Sequence, residues 1–187
     1  MKLIIAQGNP GSAYVKTRHN AGFSLIDSYA AKNSLEFSSR PKFYSELAEM
    51  EAGDGKIILA KPTTFYNETG RAARAIVDFY KLNPQTDILV IHDDTSLPFG
   101  TLRIRDTGSD AGNNGIKSLN SHLGPDYKRL RVGISSELQE RVDSSTFVLS
   151  KFSKEEQVTM NELITPQVVK LIDDFVHGTL DPSSYTV

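Results

Sequence analysis

Cysteine is absent from the 187 residues, which excludes disulfide frameworks, thiolate zinc sites, iron–sulfur clusters and cysteine nucleophiles and suits a reducing compartment. Long apolar runs are missing too. The first, Leu3-Ile4-Ile5-Ala6, stops at Gln7, short of the apolar region of a secretory signal, and none approaches the roughly 18 residues that span a bilayer. A cytoplasmic protein with no membrane partner is therefore expected. Positive charge is not in excess: the formal net charge is -2, against a surface basic all over, the simplest kind of nucleic-acid binder. Internal repeats, low-complexity tracts and dividing linkers are also lacking, so residues 1–187 are expected to form a single domain. With 39% hydrophobic and 24% charged residues, the chain reads as an ordinary globule rather than a disordered or collagen-like one.

Charge is unevenly spread. From Thr101 to Arg131 six basic residues face three acidic ones, a local +3, whereas from Ser135 to Val187 four basic residues face nine acidic ones, a local -5. Polyanion binding, if present, must be local, and on charge alone chance clustering on a solvated surface is the ordinary reading. Lys2 to Gln7, Lys56 to Lys61 and Asp87 to His92 are short Ile/Leu/Val-rich runs ended by Gly, Pro or Asp, as buried central strands are. Ser45 to Glu51, Thr101 to Arg105 and Arg129 to Ile134 mix apolar and polar positions, and alternation places Arg103 and Arg105 on one face. Helical spacing predicts helices over Asn20 to Lys32, Thr69 to Tyr80 and Asn114 to Leu123. A fourth, Ser153 to His177, opens with a Ser153/Glu156 capping box and should kink or break at Pro166. Strands interleaved with helices imply one three-layer α/β/α domain with a mixed, mainly parallel twisted sheet, whose site lies beyond the carboxyl ends of its strands.

Four loops behind strand-like segments carry unusual polar residues. They are Gly8-Asn9-Pro10-Gly11 with Thr17-Arg18-His19-Asn20, then Pro62 to Asn67, then His92-Asp93-Asp94, and last Gly108 to Gly115. Singly, each has an ordinary reading: Asn9 in a turn, Asn67 and Asn114 as helix caps, His19 as a surface histidine, the aspartates as a strand end. Jointly, three Asn, one His and one Asp are brought to one sheet edge. Other chemistries fit less well. Gly8 and Gly11 lack both the Gly-Lys-Ser/Thr ending of a phosphate loop and the third glycine of a dinucleotide fingerprint, and no Gly-x-Ser-x-Gly elbow is present. His92-Asp93-Asp94 has no second His at ligand spacing, so no metal is expected. A histidine-activated water remains.

The motifs Gly8-Asn9-Pro10-Gly11, Tyr14, Thr17 to Gly22, Lys61 to Asn67 with Gly70, His92-Asp93-Asp94 with Leu97-Pro98-x-Gly100, and Gly112-Asn113-Asn114-Gly115-x-Lys117-Ser118, in this order, resemble bacterial-type peptidyl-tRNA hydrolase over nearly the whole chain. The resemblance implies hydrolysis of the ester between a peptide and the terminal ribose of tRNA, without metal or cofactor, by a cytoplasmic monomer with a phosphorylase/hydrolase-like fold. It implies His19 as the base that activates water, Asp93 as its orienting group, and Asn9, Asn67 and Asn114 as residues that position the ester and peptide. Tyr14 and Tyr66 would be further substrate contacts, and Arg105 and Arg131 would grip tRNA phosphate.

Departures from the family pattern stand at Asn113, where a His is common, at Tyr66, often Met, and at Ser109-Asp110-Ala111, where a glycine-rich stretch is usual. The acidic lid-like segment Ser135 to Asp143 lacks the usual His-Pro-Gly turn. A non-catalytic RNA-binding role, as in a plant-organelle splicing relative, is the alternative; the complete His19/Asp93 site and the absence of a transit-type leader favour catalysis.

Overall fold

The computed structural model describes residues 1–52 and 55–187. In chain order its strands are β1 (Lys2–Ala6), β2 (Ser38–Arg40), β3 (Ser45–Ala52), β4 (Gly55–Pro62), β5 (Ile88–Pro98), β6 (Thr101–Arg105), β7 (Lys128–Ser135) and β8 (Ser184–Thr186). Its α-helices are α1 (Ala21–Lys32), α2 (Thr69–Tyr80), α3 (Pro84–Asp87), α4 (Asn114–Leu123), α5 (Ser144–Leu149), α6 (Lys154–Thr159) and α7 (Thr165–Val176). The strands join in one sheet of order β2-β3-β4-β1-β5-β7-β6-β8. The centre, β4-β1-β5-β7, is parallel and the flanks are antiparallel, so only β3 and β6 run against the rest.

Side-chain alternation divides the core between the two faces of this sheet. Ile4, Ala6, Leu89, Ile91, Leu130 and Val132 pack with α1 and α7; Leu3, Ile5, Ile88, Val90 and Ile58 pack with α2 and α4. Each of these fully buried Leu, Ile and Val side chains contributes about 1.5–3 kcal/mol. Gly22 lets α1 lie against the strands, since a Cβ there would stand 2.6 Å from the Gln7 carbonyl and 2.8 Å from that of Ile91. α2 crosses to the opposite face from α1, and the sheet order reverses at β1. That leaves a crevice at the carboxyl ends of β1, β4 and β5.

The structure refines two expectations and bears out a third. β5 does not stop at His92 but continues to Pro98. The helix expected over Ser153 to His177 is interrupted just before Pro166: a π turn over Met160–Ile164 separates α6 from α7, with Pro166 in the first turn of α7. Its capping box forms as expected, with the Ser153 hydroxyl accepting from Glu156 N–H and the Glu156 side chain accepting from Ser153 N–H. Among the described residues no helix is long and apolar enough to cross a membrane.

Candidate active site

The first loop is fixed by asparagine pairing. Asn20 clamps the backbone of Asn9, its Oδ1 accepting from Asn9 N–H and its Nδ2 donating to Asn9 O, both at 2.9 Å. Asn9 in turn offers its own Oδ1 to Tyr66 N–H at 2.9 Å, stitching the β1 loop to the β4 loop. A short 3-10 turn, Arg18–Asn20, carries His19 into α1. Its anchor is Arg18, 3% exposed, which donates to both carboxylate oxygens of Glu156 at 2.9 and 2.7 Å and lies over the rings of Phe147 and Phe152. A bidentate pair of this kind fixes geometry as well as charge.

The expected third loop, His92-Asp93-Asp94, lies inside β5, where alternation decides which way each polar side chain points. Ile91 faces the α1 side; so does Asp93, two residues on, while His92 and Asp94 face the other side. Asp93 is 2% exposed. Its Oδ2 lies 2.9 Å from Nδ1 of His19 and its Oδ1 accepts from the Tyr66 hydroxyl at 2.6 Å, so both carboxylate oxygens are partnered. A carboxylate acceptor makes Nδ1 the protonated nitrogen of His19 and leaves Nε2 with a lone pair. Nε2 has no hydrogen-bond partner among the described residues. The Tyr66 ring lies flat on the imidazole, 3.6 Å between centroids and 15° between planes. Burial and the Asp93 charge push the Tyr66 phenol well above its ordinary range, so it stays a donor.

The fourth loop closes the ring of residues. Asn113, not Asn114, caps α4, accepting from Ile116 N–H at 3.0 Å, and Asn114 is the first helical residue. Asn67 lies in a 3-10 turn ahead of α2 and caps nothing. The Asn67 and Asn114 side chains make no hydrogen bond among the described residues. Together with Asn9, His19, Tyr66 and Asp93 they line one cleft of about 650 Å³. Phe65, 58% exposed, and Val148 and Leu149 of α5 supply apolar rim.

Tyr14 is not part of this cleft. It ends a 3-10 turn, and its carbonyl accepts from the backbone and hydroxyl of Thr17, shaping the approach to His19.

Arg105 and Arg131 line an adjoining pocket of about 210 Å³ with His92, Asp94 and Arg129; Asp94, Asp110 and Ala111 border both spaces. The β6–β7 register sets Arg103 opposite Arg131 and Arg105 opposite Arg129. Because Leu102, Ile104, Leu130 and Val132 fill the core on the α1 side, all four arginines share the other face. Arg131 donates to Asp94 at 2.6 Å and to Ser96 at 3.1 Å. Burial works to raise the Asp94 carboxyl, but Arg131, with the Ser96 hydroxyl and N–H that both donate to Asp94 Oδ1, outweighs it and holds it below the usual carboxylate range. Arg129 is buried and staples the fourth loop, donating to the carbonyls of Gly108, Ser109 and Pro125. Sequence reading did not single out Asn20, Arg18 or Arg129, and it marked Asn113 only as a departure, not as the cap of α4. The Asn20 and Arg18 positions lay within a quoted motif, but their partners Asn9 and Glu156 are set by tertiary structure.

An imidazole with a free lone pair, backed by a buried carboxylate and facing a cleft with unpartnered amides, defines a site for hydrolytic acyl chemistry on an α/β scaffold. Comparison with known proteins makes this specific. A family model described as peptidyl-tRNA hydrolase matches residues 3–185. A peptidyl-tRNA hydrolase of Desulfitobacterium hafniense is 47% identical over 165 residues, covering 88% of this chain and 87% of the relative; one from Clostridium botulinum is 40% identical over 185 residues, covering 97% and 94%. The crystal structure of peptidyl-tRNA hydrolase from Acinetobacter baumannii superposes with a TM-score of 0.86 at 32% identity, covering 95% of this chain and 89% of that one. The chain belongs to the peptidyl-tRNA hydrolase family. It is an enzyme that hydrolyses peptidyl-tRNA.

Proposed function

We propose that His19 is the base of this reaction and that Asp93 orients it. The observation that carries this reading is the 2.9 Å contact between Nδ1 of His19 and Oδ2 of Asp93. Nε2 takes a proton from water; the hydroxide oxygen bonds to the ester carbonyl carbon, and the oxyanion so formed is met by side-chain amide donors. Collapse breaks the bond to the ribose oxygen, which receives the proton from His19. The products are a peptide carboxylic acid, which gives its proton to solvent, and a tRNA with a free ribose hydroxyl. Asp93 supports the positive charge that His19 carries between these two proton transfers.

Asn9, Asn67 and Asn114 position the ester and the peptide backbone. Asn9 has its Oδ1 committed to Tyr66 N–H, which leaves its Nδ2 as the donor for substrate, while Asn67 and Asn114 have whole amides to offer. Neutral amides match a peptide bond without adding charge. The Tyr66 ring forms part of the wall beside them. Arg105 and Arg131, in the pocket beside the cleft, hold a tRNA phosphate, while Tyr14, outside the cleft, is left to contacts with the body of the tRNA. We further infer a single domain over residues 1–187, active as a monomer in the cytoplasm, where a product of translation is found. Incubation with N-acetyl-aminoacyl-tRNA and with unblocked aminoacyl-tRNA tests this reading. Release from the blocked substrate alone, reduced at least about a hundredfold in His19→Ala, is expected; full release by that variant would remove His19 from the mechanism.

A further inference from the structure

The departure at Tyr66 and the departure at Asn113 meet in one hydrogen-bond chain whose direction is fixed at every link. Ile116 N–H donates to Asn113 Oδ1 at 3.0 Å, so the Asn113 amide can turn only its Nδ2 toward Tyr66. Nδ2 donates to the Tyr66 oxygen at 3.1 Å. With that lone pair engaged, the phenol hydrogen points at Asp93 Oδ1, 2.6 Å away. Asp93 Oδ2 receives Nδ1 of His19. The chain thus runs from the first turn of α4 to the imidazole.

Packing holds the same elements in place. Tyr66 is 2% exposed. A Cβ on Gly115 would stand 2.3 Å from Tyr66 Cε1, so α4 presses directly against the ring edge. The opposite constraint is the stack on His19 at 3.6 Å.

We infer that Tyr66 is a positioning residue for ester hydrolysis: its hydroxyl locks the Asp93 carboxylate, its ring fixes the plane of His19, and Asn113 aims the hydroxyl. The inference rests on the His19/Asp93 reading given above. A buried carboxylate held by one donor turns about its last side-chain bond and leaves an oxygen unpaired; a second donor removes both problems. The aromatic face beside the imidazole also favours the cation that forms when His19 takes its proton.

The test is a double-mutant cycle on N-acetyl-aminoacyl-tRNA, with kcat and KM measured separately and thermal unfolding followed alongside. Tyr66→Phe keeps the ring and its packing but deletes the hydroxyl. Its kcat is expected to fall between about tenfold and a hundredfold, the worth of a hydrogen bond to a charged group, with KM changed less than about twofold. In an Asp93→Asn background the same change should cost less than about threefold, because the carboxylate it serves is gone. Asn113→Asp, which keeps the helix cap but replaces the donor by an acceptor, should lower kcat in the same range and provides the second variant if Tyr66→Phe proves unstable. A Tyr66→Phe effect confined to KM, or one of equal size with and without the Asp93 carboxylate, would overturn the inference. An unaltered enzyme inactive on the blocked substrate would instead strike the underlying reading.

Discussion

Asp93 holds His19 by one nitrogen only: Oδ2 lies 2.9 Å from Nδ1, and the other nitrogen has no partner among the described residues. The pair brings together two segments 74 residues apart, one in the 3-10 turn that leads into α1 and one in the middle of β5. Its position follows from the sheet, since strand alternation turns Asp93 toward the face that α1 covers.

Arg105 and Arg131 stand on a different strand pair and face a different space, so their effects should separate from chemistry. Arg105→Gln or Arg131→Gln should weaken tRNA substrates broadly and make the slope of log affinity against log salt shallower by about 1. Hydrolysis of a short acylated adenosine should stay within about twofold. Equal losses on both substrates would place these arginines at the reacting ester instead.

His92 is buried, donates from Nδ1 to the Asp93 carbonyl at 2.8 Å, and has no partner at Nε2. Burial, more than any neighbouring charge, pushes its pKa below the ordinary 6.5. The unfolded chain therefore binds a proton that the folded chain refuses, and stability declines as pH falls below about 6.5 toward the folded-state value. His92→Asn, which keeps a neutral amide donor there, should flatten that decline. Urea midpoints from about pH 7.5 to about pH 5.5 read it; parallel curves for the two proteins would remove His92 as the cause.

Gly22→Ala should cost about 1–3 kcal/mol, because the added carbon meets the backbone carbonyls of Gln7, just past β1, and of Ile91 in β5 rather than a movable side chain. For a chain of this size that is a fall in Tm of roughly 2–4 °C per kcal/mol, read by thermal unfolding. Since α1 carries His19 at its start, kcat should fall with it.

Much of this was legible in the sequence. The apolar runs around Ile4, Leu59 and Leu89 became the central strands, and α2 and α4 begin and end where helical spacing placed them. Residues behind those strands therefore came together in one cleft. β2 and β8 escaped notice because each is three exposed residues at a sheet edge, with no buried face to impose alternation. α5 escaped because six residues give no helical period; its Asp143 cap is the signal that marks it. Long-range partners were the other gap. Nothing local ties Arg18 to Glu156, Tyr66 to Asp93 or Arg129 to the Gly108 carbonyl, and only the strand order and register bring them within reach.

The most direct measurement is the single-turnover rate of Asp93→Asn on N-acetyl-aminoacyl-tRNA, with enzyme in excess so that release of tRNA does not limit. An amide keeps the size of the side chain but removes the charge that supports the imidazolium. A fall of at least about a hundredfold is expected. A rate within about twofold of the unaltered enzyme would contradict a reaction run by His19 with Asp93 behind it.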